Sequence, residues 1–212
     1  PLGRLFLHWA IRLGITPNQV TIFSIPVFVF AMSMFAFGGF GPTLIGVMFI
    51  HLGLGLDNLD GDLARETGAK SRRGEFLDSL VGYIYGVFML PALGIGVSRG
   101  HDFGTKIIGI AFEIPPDVFL QVGLWSGIIF GMSRLLSLRH RIIFERSPRD
   151  RTGALGKISL IIADAFPFFL IAGVILKLVS IVFLIFAVFY LLSFLYVVLG
   201  SIFNVFAEEA EH

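Results

Sequence analysis

Between two long apolar runs lies the stretch DNLDGDLARETGAKSRRGEFLD, from Asp57 to Asp78. Carboxylates that continue a membrane segment are costly to insert and are rare without a task. On a helix, Asp57 and Asp60 are three residues apart and share a face, with Ala64 one turn further along it. Gly61 and Ala64 are small, which lets a ligand come close to the backbone. Asp78 opens the next apolar segment, so a helix–turn–helix would bring it back against Asp57 and Asp60. Three carboxylates meeting in a semi-polar pocket repel one another. A divalent cation resolves that repulsion, and an all-oxygen donor set suits Mg²⁺ or Mn²⁺.

The elements that must position these acids are membrane helices. Of 212 residues, 56% are hydrophobic and 15% charged, and 24 are Phe, which excludes an ordinary soluble globular domain. With no cysteine, the sequence offers neither a disulfide nor thiol chemistry. A nucleic-acid partner is not expected. The first residues read as too polar for a secretory signal, and a start at Pro1 reads as a trimmed chain. Residues 1–13 set Arg4, His8 and Arg12 at four-residue steps among Leu5, Phe6, Trp9 and Ile11. That spacing predicts a juxtamembrane amphipathic helix lying on an anionic membrane surface. Thr16 and Pro17 then read as the N-cap and first position of a new helix.

Six spans are expected in one membrane domain over 14–212, which makes the fold all-α and integral to the membrane. They run over about 17–37, 43–66, 74–97, 117–144, 157–176 and 179–206. A polar loop is expected over about 98–116, and the break at Lys177 is the weakest boundary. If the N-terminus is cytoplasmic, thirteen Lys and Arg fall on that side and only Arg99, Lys106 and Lys177 on the other. The asymmetry predicts cytoplasmic termini and a cytoplasmic site.

The stretch from Asp57 resembles the signature of the CDP-alcohol phosphotransferases (phosphatidyltransferases), D-x2-D-G-x2-A-R, eight or nine residues, then G-x3-D-x3-D. Asp57, Asp60, Gly61, Ala64, Arg65, Gly74 and Asp78 match seven of the eight fixed positions, and Gly82 stands where the eighth would be aspartate. The phrase ITPNQVT also resembles the start of the family's first membrane helix. The resemblance implies a metal-dependent transfer of a phosphatidyl group from a CDP-linked lipid to an alcohol or phosphorylated alcohol, with release of CMP. It implies Asp57, Asp60 and Asp78 as metal ligands, Asp78 also as a catalytic group, and Gly61, Ala64, Arg65 and Gly74 around the nucleotide. It also implies a homodimer among membrane lipids. In the family the last aspartate is the proposed general base. With Gly82 there, the chemistry loses that help, takes another base such as Asp164 or a metal-bound hydroxide, or uses an acceptor already ionised. The alternative is a relative that binds metal and CDP-nucleotide without ordinary alcohol transfer, or a membrane assembly partner. A secondary transporter is a weak reading, because no inverted repeat or pair of broken helices is visible.

Seven basic residues lie between Arg134 and Lys157. Basic residues of this region hold a phosphorylated acceptor in several family members, which would make Arg134 and Lys157 the acceptor-phosphate residues. A topogenic loop on anionic lipid explains any one of them equally simply. Asp164, in an apolar run, is expected either to pair with Arg134 or to act chemically. Arg65 is expected to meet an acid or a phosphate, and Asp62 to be solvated or paired. His51 reads as packing, as do Gly53, Gly55, Gly82 and Gly86.

Overall fold

A computed structural model describes residues 2–99, 106–107, 110–111, 114–144 and 153–209, with side chains described outside 2–5, 106–107, 110–111, 141, 144, 153–161, 163–164, 204–205 and 207–209. The order is α1 (Leu2–Arg12), α2 (Pro17–Phe37), α3 (Phe40–Glu66), α4 (Arg72–Ser98), β1 (Lys106–Ile107), β2 (Ile110–Ala111), α5 (Pro116–Phe144), α6 (Gly153–Ile175) and α7 (Val179–Glu209). Within the expected loop, β1 and β2 form a two-residue antiparallel pair, Lys106 against Ala111 and Ile107 against Ile110. The polar reading of that loop missed this pair, because two residues are too few to show a strand period.

Among the described residues five helices are long and apolar enough to cross a membrane: Pro17–Phe37, Phe40–Glu66, Arg72–Ser98, Pro116–His140 and Val179–Phe203. In α6 the described apolar stretch is Ala165–Ile175, shorter than a span. Large apolar side chains face outward along these helices, among them Phe23, Met48, Phe88, Trp125 and Leu192. So continuous an apolar exterior is foreign to a protein in water and fits lipid. The protein is integral to the membrane and crosses it several times.

α2 starts where its capping chemistry puts it. The Thr16 hydroxyl accepts from the Gln19 N–H at 3.3 Å, and the Gln19 side chain accepts from the Thr16 N–H at 2.9 Å. Pro17 fills N1, where no intrahelical N–H bond is lost. α2 packs on α3 and α4, α4 on α5, and α5 on α7. Phe28, Phe35, Ile50, Met89, Leu93 and Phe183 lie in the buried centre. Close helix approach depends on small residues. A Cβ on Gly86 would overlap the Phe130 ring of α5, and one on Gly53 would meet Phe28 of α2. The α6–α7 break falls at Lys177, which takes a left-handed φ of 56°. The Leu178 N–H donates back to Gly173 O at 2.6 Å and closes the turn.

α1 is tethered at one point. Ala10 is buried with Val20 of α2 and Leu63 of α3, whereas Phe6, Trp9 and Leu13 are exposed.

Candidate active site

The last turns of α3 carry Asp57, Asp60, Gly61, Ala64 and Arg65 at offsets 0, 3, 4, 7 and 8, the spacing of one helical face. α3 ends at Glu66 with Thr67 as its C-cap, and Gly68 takes φ 65°, where a side chain would be strained, so that the chain can reverse. Ser71 then caps α4, its hydroxyl accepting from the Gly74 N–H at 3.1 Å. This short link returns α4 onto α2, against which α3 also packs, and Asp78 reaches Asp57 and Asp60. One carboxylate oxygen from each of the three lies within 4.8 Å of the others. Asp60 is buried, Asp57 half-buried and Asp78 exposed, so the trio runs from the helix interface out to the cleft mouth.

All seven signature positions line one cleft of about 200 Å³. Gly61 and Gly74 are small for different reasons. A Cβ on Gly61 would find only the Arg65 guanidinium, at an ordinary 3.6 Å, so helix packing does not demand a glycine there. The missing side chain leaves room in the cleft itself. A Cβ on Gly74 would press on Asn18 Oδ1 at 3.1 Å and Ser71 Oγ at 3.3 Å, so that glycine allows α4 to close on α2.

Electrostatics set the trio apart. Arg65 gives its charge to Asp62, Nη2 to Oδ1 at 2.6 Å on the exposed side of α3. Among the described residues no Lys or Arg comes within ion-pair distance of Asp57, Asp60 or Asp78. Two carboxylates no more than 4.8 Å apart repel by at least about 0.9 kcal/mol at an effective dielectric constant of about 80, and by more in a less polar site. Oxygen donors gathered this closely without a cationic side chain fit a hard divalent ion.

The residues expected further along the chain are placed differently. The Arg134 guanidinium lies over the rings of Tyr83 and Phe130, 5.9 and 5.4 Å from their centroids, and is not part of the described cleft lining. Lys157 and Asp164 lie on α6, but their side chains fall outside the described residues, and so does the expected Arg134–Asp164 pair. His51 packs its ring edge-on against Phe168 at 5.2 Å and holds Val47 O through Nδ1 at 2.8 Å. Gly82 departs from its expected role in packing. A Cβ there would meet nothing within 4 Å, in contrast to Gly86 one turn on.

Sequence reasoning missed the contribution of α2. Pro17, Asn18 and Thr21 line the cleft, and the Thr21 hydroxyl donates to Asp60 Oδ2 at 2.5 Å. The signal was present in TPNQVT, where Asn18 and Thr21 stand three apart on the first turns of a membrane helix.

The sequence pattern that defines the CDP-alcohol phosphatidyltransferases matches residues 14–195. The chain belongs to that family. A 96-residue segment is also 38% identical to the archaetidylinositol phosphate synthase of Pyrococcus horikoshii, covering 45% of this chain and 49% of that protein. The match thus spans about half the length of that curated relative. The family works with a divalent metal, and the three convergent carboxylates suit one.

Proposed function

We propose that the cleft transfers a phosphatidyl-type group from a CDP-linked lipid to a small polar acceptor, releasing CMP, with Mg²⁺ or Mn²⁺ held by Asp57, Asp60 and Asp78. The observation that carries the reading is a carboxylate trio, without a cationic partner among the described residues, in the same cleft as Gly61 and Ala64. When bound, the metal neutralises charge on the diphosphate. The remaining work belongs to the chain. Gly61 and Ala64 leave space for the nucleotide against α3, and Gly74 closes α4 over it. Arg65 and Lys70, at the cleft edge, offer donors to phosphate oxygens. An acceptor oxygen attacks the lipid-bearing phosphorus, the bond to the CMP oxygen breaks, and the acceptor proton passes to a base. Asp78, at the exposed mouth, is where an acceptor enters.

The relative's name favours an inositol phosphate as acceptor. Arg134 fits that reading. Its charge lies over two aromatic faces, one of them Tyr83 beside Gly82, where a Cβ would meet nothing within 4 Å. Arg134 and Lys157 would hold the acceptor phosphate, and Asp164 would serve as the base that Gly82 cannot supply. We place this site and both termini on the cytoplasmic side, with six spans, α1 in the membrane surface and a homodimeric assembly. The Lys and Arg asymmetry supports the orientation, and the exposed Phe6, Trp9 and Leu13 support an interfacial α1.

Gly82 also supports a second reading, in which metal and nucleotide bind but transfer to an ordinary alcohol is weak. One experiment separates the two. Purified protein is incubated with a CDP-linked lipid, Mn²⁺ and, in turn, inositol phosphate, glycerol phosphate and serine, and the lipid product is identified by mass spectrometry. A phosphorylated polyol lipid supports transfer. CDP-lipid binding without any product supports the second reading.

A further inference from the structure

The Asp60 carboxylate is not held by its own helix alone. Thr21 and Asp60 are both buried, 4% and 6% exposed, and they meet across the α2–α3 interface. The Thr21 hydroxyl has one hydrogen and two acceptors in reach, Asp60 Oδ2 at 2.5 Å and Pro17 O at 3.1 Å. The carboxylate is nearer and charged, and a hydrogen bond to a charged acceptor is the stronger kind. Thr21 is itself fixed. Its carbonyl accepts from the buried Ser24 hydroxyl at 2.7 Å, and the capping box at Thr16 sets the first turn of α2.

We propose that Thr21 is a positioning residue for the metal centre. By donating to Oδ2 it stops rotation of the Asp60 carboxylate and presents the remaining lone pairs toward Asp57 and Asp78. The inference rests on the metal reading of the trio. A carboxylate free to rotate would lose ordering entropy on binding a cation, whereas the Thr21 bond has already fixed it. Removing the hydroxyl leaves a largely buried carboxylate oxygen with one donor fewer. Partners of metal ligands that set ligand orientation typically change metal affinity by about 10–100-fold when removed.

The test is Mn²⁺ binding alone, read by electron paramagnetic resonance on the purified full chain in detergent without CDP-lipid. Thr21→Val keeps the shape and removes the hydroxyl. It should weaken Mn²⁺ binding by about 10–100-fold. Thr21→Ser keeps the hydroxyl and should stay near the native affinity, which a purely packing role for the threonine methyl would not predict. If Thr21→Val is not monodisperse, Thr21→Ala gives the same readout. Val or Ala variants that bind Mn²⁺ like the native chain overturn the inference and leave the metal centre standing. Thr21→Ser binding as weakly as Thr21→Val also overturns it. A native chain that binds no Mn²⁺ overturns the metal reading and this inference together.

Discussion

Substituting Gly82 by Asp adds a fourth carboxylate one turn beyond Asp78, and the open space around the glycine indicates what that should cost. A Cβ at position 82 meets no heavy atom within 4 Å, so the side chain enters without the overpacking penalty of about 1–3 kcal/mol usual in a filled core. The penalty is instead electrostatic. Position 82 lies one turn beyond Asp78, about 6 Å away between Cβ atoms. Two charges at that distance repel by about 0.7 kcal/mol in water and about 3 kcal/mol at an effective dielectric constant of about 20. Metal-free Gly82→Asp should therefore melt below the native protein, and Mn²⁺ should raise its melting temperature by more than it raises the native one. On the chemistry, a positioned base is worth about 10²–10⁴-fold. CMP release with serine as acceptor should rise by a factor in that range in Gly82→Asp. The reasoning fails if native protein already transfers to serine, Gly82→Asp gives no gain, and Asp164→Asn gives no loss. In that case no carboxylate base at this position or on α6 is needed.

Two further outcomes follow from the same geometry. Gly86→Ala drives a methyl group into the Phe130 ring and should lower stability by about 1–3 kcal/mol by denaturant titration, although Gly82→Ala one turn away should not. Arg134→Ala should raise KM for inositol phosphate by about 10-fold or more, the loss of a charged hydrogen bond, and leave KM for the CDP-linked lipid unchanged.

What the sequence made legible was whatever repeats at helical spacing or interrupts it. The ends of α2 fall at Pro17 and Phe37 as Thr16-Pro17 and Gly38-Gly39 predict. Asp57, Asp60 and Asp78 converge because the short α3–α4 link lets both helices pack on α2. Arg65 was readable only as a residue that would meet an acid or a phosphate, and Asp62, one turn before it on α3, takes it in this structure. Contacts between distant segments were not legible. Thr21 and Asp60 are 39 residues apart, and nothing local in either segment announces the bond. Gly82 and Gly86 looked alike as a small-residue pair, yet a Cβ on Gly86 would meet Phe130 of α5 and one on Gly82 would meet nothing within 4 Å. The β1–β2 pair lay hidden in a segment whose composition reads as loop.

The central claim is that Asp57, Asp60 and Asp78 form a metal centre serving a CDP-linked substrate. Crystals of the protein soaked with Mn²⁺ and CDP, measured at the manganese edge, test it most directly. The account predicts an anomalous peak between the three carboxylates, lost in Asp60→Asn, with the diphosphate against that peak and the cytidine beside Gly61 and Ala64. Density for CDP elsewhere, or no manganese peak between the three acids in crystals that bind CDP, would contradict it.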